Sequence, residues 1–134
     1  MIFVIGGYSQ GKLDYIKKRF MSEKINIIDA AELIIDAKSE YFEISSAQRV
    51  IINNINIAIA DIIKNGKSPE DAIKKMIKDY PDAVIISDEV GNGIVPVDKN
   101  ERLIREKIGR VQCLLANEAE EVIRVICGIG QRIK

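Results

Sequence analysis

The chain contains no histidine. No imidazole is available as a general base, a metal ligand or a covalent carrier of a transferred group. Cysteine is scarce. Cys113 and Cys127 form neither a C-x-x-C pair nor a disulfide framework, and their expected place is the interior, as small apolar residues. Aromatic residues make up only 5%, so aliphatic side chains, isoleucine above all, must build the core. Neither sign of charge is in excess: Lys+Arg and Asp+Glu are both 20, for a formal net charge of zero. That balance removes any composition argument for a nucleic-acid or membrane-surface partner. No apolar run approaches the length needed to span a membrane. The start Met-Ile-Phe-Val-Ile-Gly-Gly lacks the basic leader and cleavage site of a signal peptide. A cytoplasmic location is expected.

What remains is 134 residues, 47% of them hydrophobic. That is enough for one domain, 1–134, with one core. Its most informative segment is Val4-Ile5-Gly6-Gly7-Tyr8-Ser9-Gln10-Gly11-Lys12-Leu13. The pattern is G-x-x-x-x-G-K followed by a leucine. In a phosphate-binding loop, glycines let backbone N–H groups turn inward around an anion. The lysine reaches the outer phosphates, and a Ser or Thr holds magnesium. Gly6, Gly11 and Lys12 meet the first two needs; Leu13 has no ligand atom for the third. The apolar run Ile2–Ile5 reads as a buried strand, and Leu13, Ile16, Phe20 and Met21 recur at helical spacing. Strand, glycine loop and helix are the setting this motif requires. The competing reading is an ordinary strand-to-helix turn with a chance lysine.

Further along, residues 25–29 read as a strand ending in a carboxylate, and Ala30–Ala37 as a short helix. Lys38–Ser45 reads as a loop. Ser45 or Ser46 is placed to cap a long helix over about 46–65, with apolar residues at 47, 50, 51, 55, 58, 59, 62 and 63. Ile52, Ile57 and Ala60 fall outside that stripe and suggest burial on a second side, against another subunit. Gly66 suits its C-terminal end. Ser68-Pro69 suits the start of the next helix, which Pro81 ends. Ala83–Ser87 has the unbroken apolar pattern of a central parallel strand. A glycine-rich loop runs from Asp88 to Pro96, a charged helix spans about 99–116, and a strand follows at 121–127. Gly128-Ile129-Gly130 breaks that strand, and Gln131–Lys134 suits a short edge strand. Alternating strands and helices specify an α/β domain with a mainly parallel sheet, and place Gly6–Lys12, Asp29 and Asp88-Glu89 at one sheet edge.

The segment Ser87-Asp88-Glu89-Val90-Gly91-Asn92-Gly93-Ile94-Val95-Pro96 closely resembles the E-V-G-x-G-I-V-P segment of the bifunctional adenosylcobinamide kinase/adenosylcobinamide-phosphate guanylyltransferase family. Arg102, Arg105 and Gly109-Arg110-Val111 continue the resemblance at family spacing. Gly128-Ile129-Gly130-Gln131-Arg132-Ile133-Lys134 is similar to its G-I-G-x-x-I-K ending. The glycine loop fits as well, whereas the middle of the chain matches only loosely. The resemblance implies a P-loop NTPase-like three-layer sandwich, a homo-oligomer, often a trimer, and a role in the nucleotide-loop stage of cobalamin synthesis. It implies ATP or GTP with Mg2+ as ligands and a corrinoid as partner. Family members phosphorylate adenosylcobinamide and then transfer GMP through a covalent histidine. By that resemblance, this chain reads as a shortened, divergent member, and it departs in three ways. The segment that carries the guanylylated histidine is very short, no histidine stands elsewhere, and Leu13 replaces the family's serine.

Lys12, Asp29 and Glu89 are the catalytic candidates. The nucleotide candidates are Gly6, Gly7, Tyr8, Ser9, Gln10, Gly11, Lys12 and Leu13. A lysine at position 12 can follow phosphate charge into a transition state. Asp29, Asp88 and Glu89 are candidates for magnesium or for polarising a hydroxyl, each with an alternative as a strand terminus or helix cap. Arg102, Arg105 and Arg110 suit bidentate phosphate recognition. With Glu101, Glu106 and Lys107 between them, they equally suit a salt-bridged solvent face. Two functions stay open: a nucleotide-dependent kinase acting on a cobinamide-like alcohol without guanylyl transfer, and a catalytically silent module that binds nucleotide or corrinoid.

Overall fold

The computed structural model describes residues 1–35, 48–91, 93, 94 and 96–134. Among them are six strands: β1 (Ile2–Gly6), β2 (Lys24–Asp29), β3 (Gln48–Asn53), β4 (Val84–Asp88), β5 (Glu121–Ile126) and β6 (Ile129–Arg132). The helices are α1 (Lys12–Arg19), α2 (Ala30–Ile35), α3 (Ile55–Lys64), α4 (Pro69–Asp79) and α5 (Lys99–Glu118). The strands form one sheet in the order β2-β3-β4-β1-β5-β6. β1 to β5 run parallel, and β6 turns back antiparallel to β5. The expected Lys38–Ser45 loop and the Ser45 or Ser46 cap lie outside the described residues.

Two apolar layers make this a three-layer α/β sandwich. On one side Ile16 of α1 packs against Val4, Ile51, Val84, Ile86, Ile123 and Val125. On the other, α3, α4 and α5 cover Phe3, Ile52, Ile85 and Val122. Neighbouring residues of β4 thus serve opposite layers, and Val84 to Ser87 are all buried. The expected α/β fold with a mainly parallel sheet is what the chain adopts.

The expected helix over 46–65 is corrected. Residues 48–53 are β3, paired in parallel with β2 and β4, and among the described residues of that span only Ile55–Lys64 is helical. Val50-Ile51-Ile52 are consecutive β-branched residues, and a central parallel strand buries both of its faces. They satisfy a helical stripe by coincidence. Asn54 breaks the two elements apart with a left-handed φ of 60°, which asparagine tolerates better than most residues. The three residues outside the expected stripe have different places. Ile52 is wholly buried between sheet and helices, Ala60 is half-buried against the same layer, and Ile57 is exposed. The two cysteines are also corrected, since both are exposed. Cys113 lies on the outer side of α5, and Cys127 occupies the β5–β6 turn, with β6 starting at Ile129 directly after Gly128.

The local signals worked elsewhere. Gly66 follows α3 at φ 70°, with backbone bonds from Gly66 to Ile63 and from Lys67 to Ile62. The Ser68 side chain accepts from the Asp71 N–H at 3.5 Å with Pro69 at the first helical position. Asp98 caps α5 by accepting from Asn100 and Glu101 at 2.7 and 2.9 Å. Among the described residues, no helix is long and apolar enough to cross a membrane.

Arg19, in the last turn of α1, holds Glu121 of β5 with two parallel bonds of 2.9 and 2.8 Å. That hydrogen bonding, together with the positive charge, holds the Glu121 carboxyl below its ordinary value of 4.5. A carboxylate with a depressed folded-state pKa stabilises the fold above its unfolded value and loses that contribution as pH falls through the folded one. Glu121→Gln should therefore be less stable than the native chain at neutral pH, and the difference should close below about pH 4.5, read from urea denaturation across pH. Ile52→Ala should lower stability by about 2–4 kcal/mol at neutral pH, as expected for a fully buried isoleucine. Ile57→Ala should stay within about 0.5 kcal/mol, as expected for an exposed position.

Candidate functional site

The sheet brings four strand ends together. Gly6 of β1 pairs with Asp88 of β4, and Asp29 of β2 pairs with Asn53 of β3. The glycine loop leaves β1 at Gly6 and enters α1 at Lys12. It is tightly curled, with Ser9 and Gly11 both left-handed at φ 55° and 80°. It lies on the β5–β6 turn. The Gln10 side chain accepts the Cys127 N–H at 2.7 Å, and its backbone carbonyl accepts the Gly128 N–H at 2.9 Å. A Cβ on Gly6 would stand 2.3 Å from the Val125 carbonyl oxygen. Glycine at position 6 is therefore demanded by close strand packing at the root of the loop.

Lys12 turns back beneath the loop. Its ammonium donates to the Gly7 carbonyl at 2.7 Å and stands 2.5 Å from the Asp88 carboxylate, with only 8% of the residue exposed. Asp88 is fixed from several sides. Its N–H donates to the Asn56 side chain at 3.0 Å, and its carbonyl accepts from the buried Gln112 amide at 2.7 Å. Gln112 also donates to the Ser87 hydroxyl at 2.9 Å. Above this pair is a cleft of about 380 Å³, lined by the loop and first turn from Tyr8 to Asp14, by Asn53 and Asn54, and by Ile86 and Asp88.

The remaining candidates occupy different places. Asp29 does not line the cleft. It accepts from the Ala31 N–H at 3.0 Å and from the Asn54 amide at 2.7 Å, so it acts on the cleft through Asn54. Glu89 pairs with Arg124 of β5 at 2.9 Å, and its backbone N–H donates to the Gly6 carbonyl at 2.9 Å. It braces the root of the loop. Arg102 donates to the carbonyls of Pro96 and Val97 at 2.8 and 2.7 Å, and Arg105 donates to Ile94 at 2.8 Å. These two arginines hold the segment before α5, while Arg110 pairs with Glu106 on the exposed face of that helix. Asn53, Asn54, Asn56 and Gln112 were not singled out in the sequence. The two asparagines at 53 and 54 carry the same signal as Asp29 and Asp88, a polar stop to an apolar strand, but an assumed helix hid it.

Leu13 does not fit the magnesium-ligand role of a loop hydroxyl, because it offers no oxygen, and the Asp88 carboxylate is paired with Lys12. Asp14, the other cleft carboxylate, is exposed. Among the described residues, no group of three His, Cys, Asp or Glu side chains converges in a way that could hold a metal ion.

The family described as cobinamide kinase/cobinamide phosphate guanyltransferase matches residues 29–133. The chain belongs to that family. Its matched span takes in the strand ends of β3 and β4 and the C-terminal hairpin, while the glycine loop lies before it. The chain is also 47% identical over 51 residues to the bifunctional adenosylcobalamin biosynthesis protein CobU of Salmonella typhimurium, and equally to that of Escherichia coli. Each match covers 38% of this chain and 28% of the length of the relative.

The contact between the loop and the hairpin generates a prediction. Gly6→Val should disrupt the β1–β5 pairing, lowering stability by about 1–3 kcal/mol in urea denaturation, the usual range for overpacking a filled site. Gly93→Ala, where nothing lies near the added atom, should change it by less than about 0.5 kcal/mol.

Proposed function

We propose that the chain is a nucleotide-binding member of its family that serves cobalamin biosynthesis, gripping the phosphates of ATP or GTP at Gly6–Lys12. The observation that carries this reading is Lys12, a cation held almost out of solvent beneath a curled glycine loop and at the start of a helix. An anion at a helix N-terminus is favoured by the unpaired N–H groups and the dipole, and a lysine in the first helical turn adds a full charge. Family membership supports the pathway, and the cleft beside the loop has room for an extended ligand.

Two readings follow from binding. In the first, phosphate is transferred to a cobinamide-like alcohol. Positioning and electrostatics carry most of such a transfer, which Lys12 and the aligned loop support. In the second, the chain binds nucleotide or corrinoid without turnover, which Leu13 and the Lys12–Asp88 pair favour. Guanylyl transfer through a histidine is outside both, because the chain has no histidine. A homo-oligomer with a cytoplasmic location belongs to the same proposal.

Lys12→Ala should weaken ATP or GTP binding about tenfold or more in titration calorimetry, since a charge-assisted hydrogen bond is worth about 1.5–3 kcal/mol. Equal affinity in the two proteins would remove Lys12 from the site. Incubation with ATP or GTP, magnesium and cobinamide, followed by mass spectrometry, separates the two readings: a phosphorylated corrinoid supports the kinase, and unchanged corrinoid with bound nucleotide supports the silent module.

A further inference from the structure

Phosphate loops that work with magnesium place a hydroxyl at the start of the helix and an acidic side chain at a nearby strand end, so that the ion bridges protein and phosphate. The cleft here keeps a strand-end carboxylate, Asp88, and differs in the rest. Leu13 occupies the hydroxyl position. β3, the strand beside β4, ends at Asn53 and is followed by Asn54, and both amide side chains belong to residues that line the cleft. Asp88, the strand-end carboxylate, is 2.5 Å from the Lys12 ammonium. Amides can donate N–H groups to phosphate oxygens directly and need no bridging ion.

We propose that this site takes its phosphate-bearing ligand without a divalent cation, with Lys12 as the counter-charge and Asp88 as the ligand's competitor for it. The proposal rests on the nucleotide reading of the glycine loop. An ammonium has three donors. The Gly7 carbonyl engages one of them, and the Asp88 carboxylate is paired with the ammonium at 2.5 Å. An arriving phosphate takes a remaining donor or displaces the carboxylate. In either case Asp88 stands as a like charge beside the bound anion and weakens its binding. In a magnesium site the same carboxylate would strengthen binding through the metal. The two arrangements therefore give Asp88→Asn opposite signs.

The test is titration of ATP and of inorganic pyrophosphate into the native chain and Asp88→Asn, in excess EDTA and in excess magnesium. Native affinity should agree within about twofold between the two conditions. Asp88→Asn should bind about tenfold tighter in EDTA, the scale of one like charge removed a few ångströms from the ligand. The asparagine oxygen can still accept from Lys12, so the ammonium keeps a partner. Binding that requires magnesium, or that Asp88→Asn weakens in its presence, overturns the proposal and leaves the nucleotide reading standing. Absence of binding in both conditions overturns the two together. If circular dichroism shows that Asp88→Asn does not fold, the native comparison with and without magnesium decides the matter alone.

Discussion

A lysine charge held almost out of water is the feature around which the loop end of this sheet is arranged. Burying an ammonium without partners is strongly unfavourable, so Lys12 has to be met by acceptors. The Gly7 carbonyl and Asp88 are those acceptors. Meeting Lys12 fixes the rest. Asp88 must end β4 at the level of Gly6, and the parallel register places it there. Its backbone must be held, and Asn56 from α3 and Gln112 from α5 hold it from two elements. The loop must stay curled over the lysine, and the β5–β6 turn bonds to Gln10 at both its side chain and its carbonyl.

The same packing explains why glycines recur in distant parts of the chain. Gly6 lies against the Val125 carbonyl, and a Cβ on Gly11 would meet Gly128 at 3.3 Å. A Cβ on Gly130 would fall within the Tyr15 ring. The N-terminal loop and the C-terminal hairpin are therefore two sides of one contact. The family match spans the hairpin but begins after the loop, and this contact joins the two physically.

Much of this was legible in the sequence, through signals that are local. Strand, glycine loop and helix were written at 2–21, the caps at Ser68 and Gly66 were readable from residue type, and β4 was a continuous apolar run. β3 was not legible because two periods coincide. Val50 and Ile51 lie on the helical stripe that continues through Ile55, Ala58 and Ile59, yet Val50-Ile51-Ile52 are also the buried run of a central strand. Periodicity cannot separate those readings in a short segment. Only the sheet, which needs a strand between β2 and β4, decides it. The exposed cysteines were missed for a related reason: residue type gives an average burial, whereas a turn position or the outer side of a helix gives the actual one. The roles of Asp29 and Glu89 depended on partners distant in sequence, Asn54 and Arg124, and no spacing rule reaches that far.

The central claim is that Lys12 and the curled loop form a phosphate cradle. A crystal structure of the chain with a non-hydrolysable GTP or ATP analogue tests it most directly. Phosphate oxygens should lie within about 3 Å of the Lys12 ammonium and of the backbone N–H groups that open α1, the ordinary hydrogen-bond range. Phosphates bound elsewhere, with Lys12 still closed on Gly7 and Asp88 and the cleft free of ligand, would contradict it.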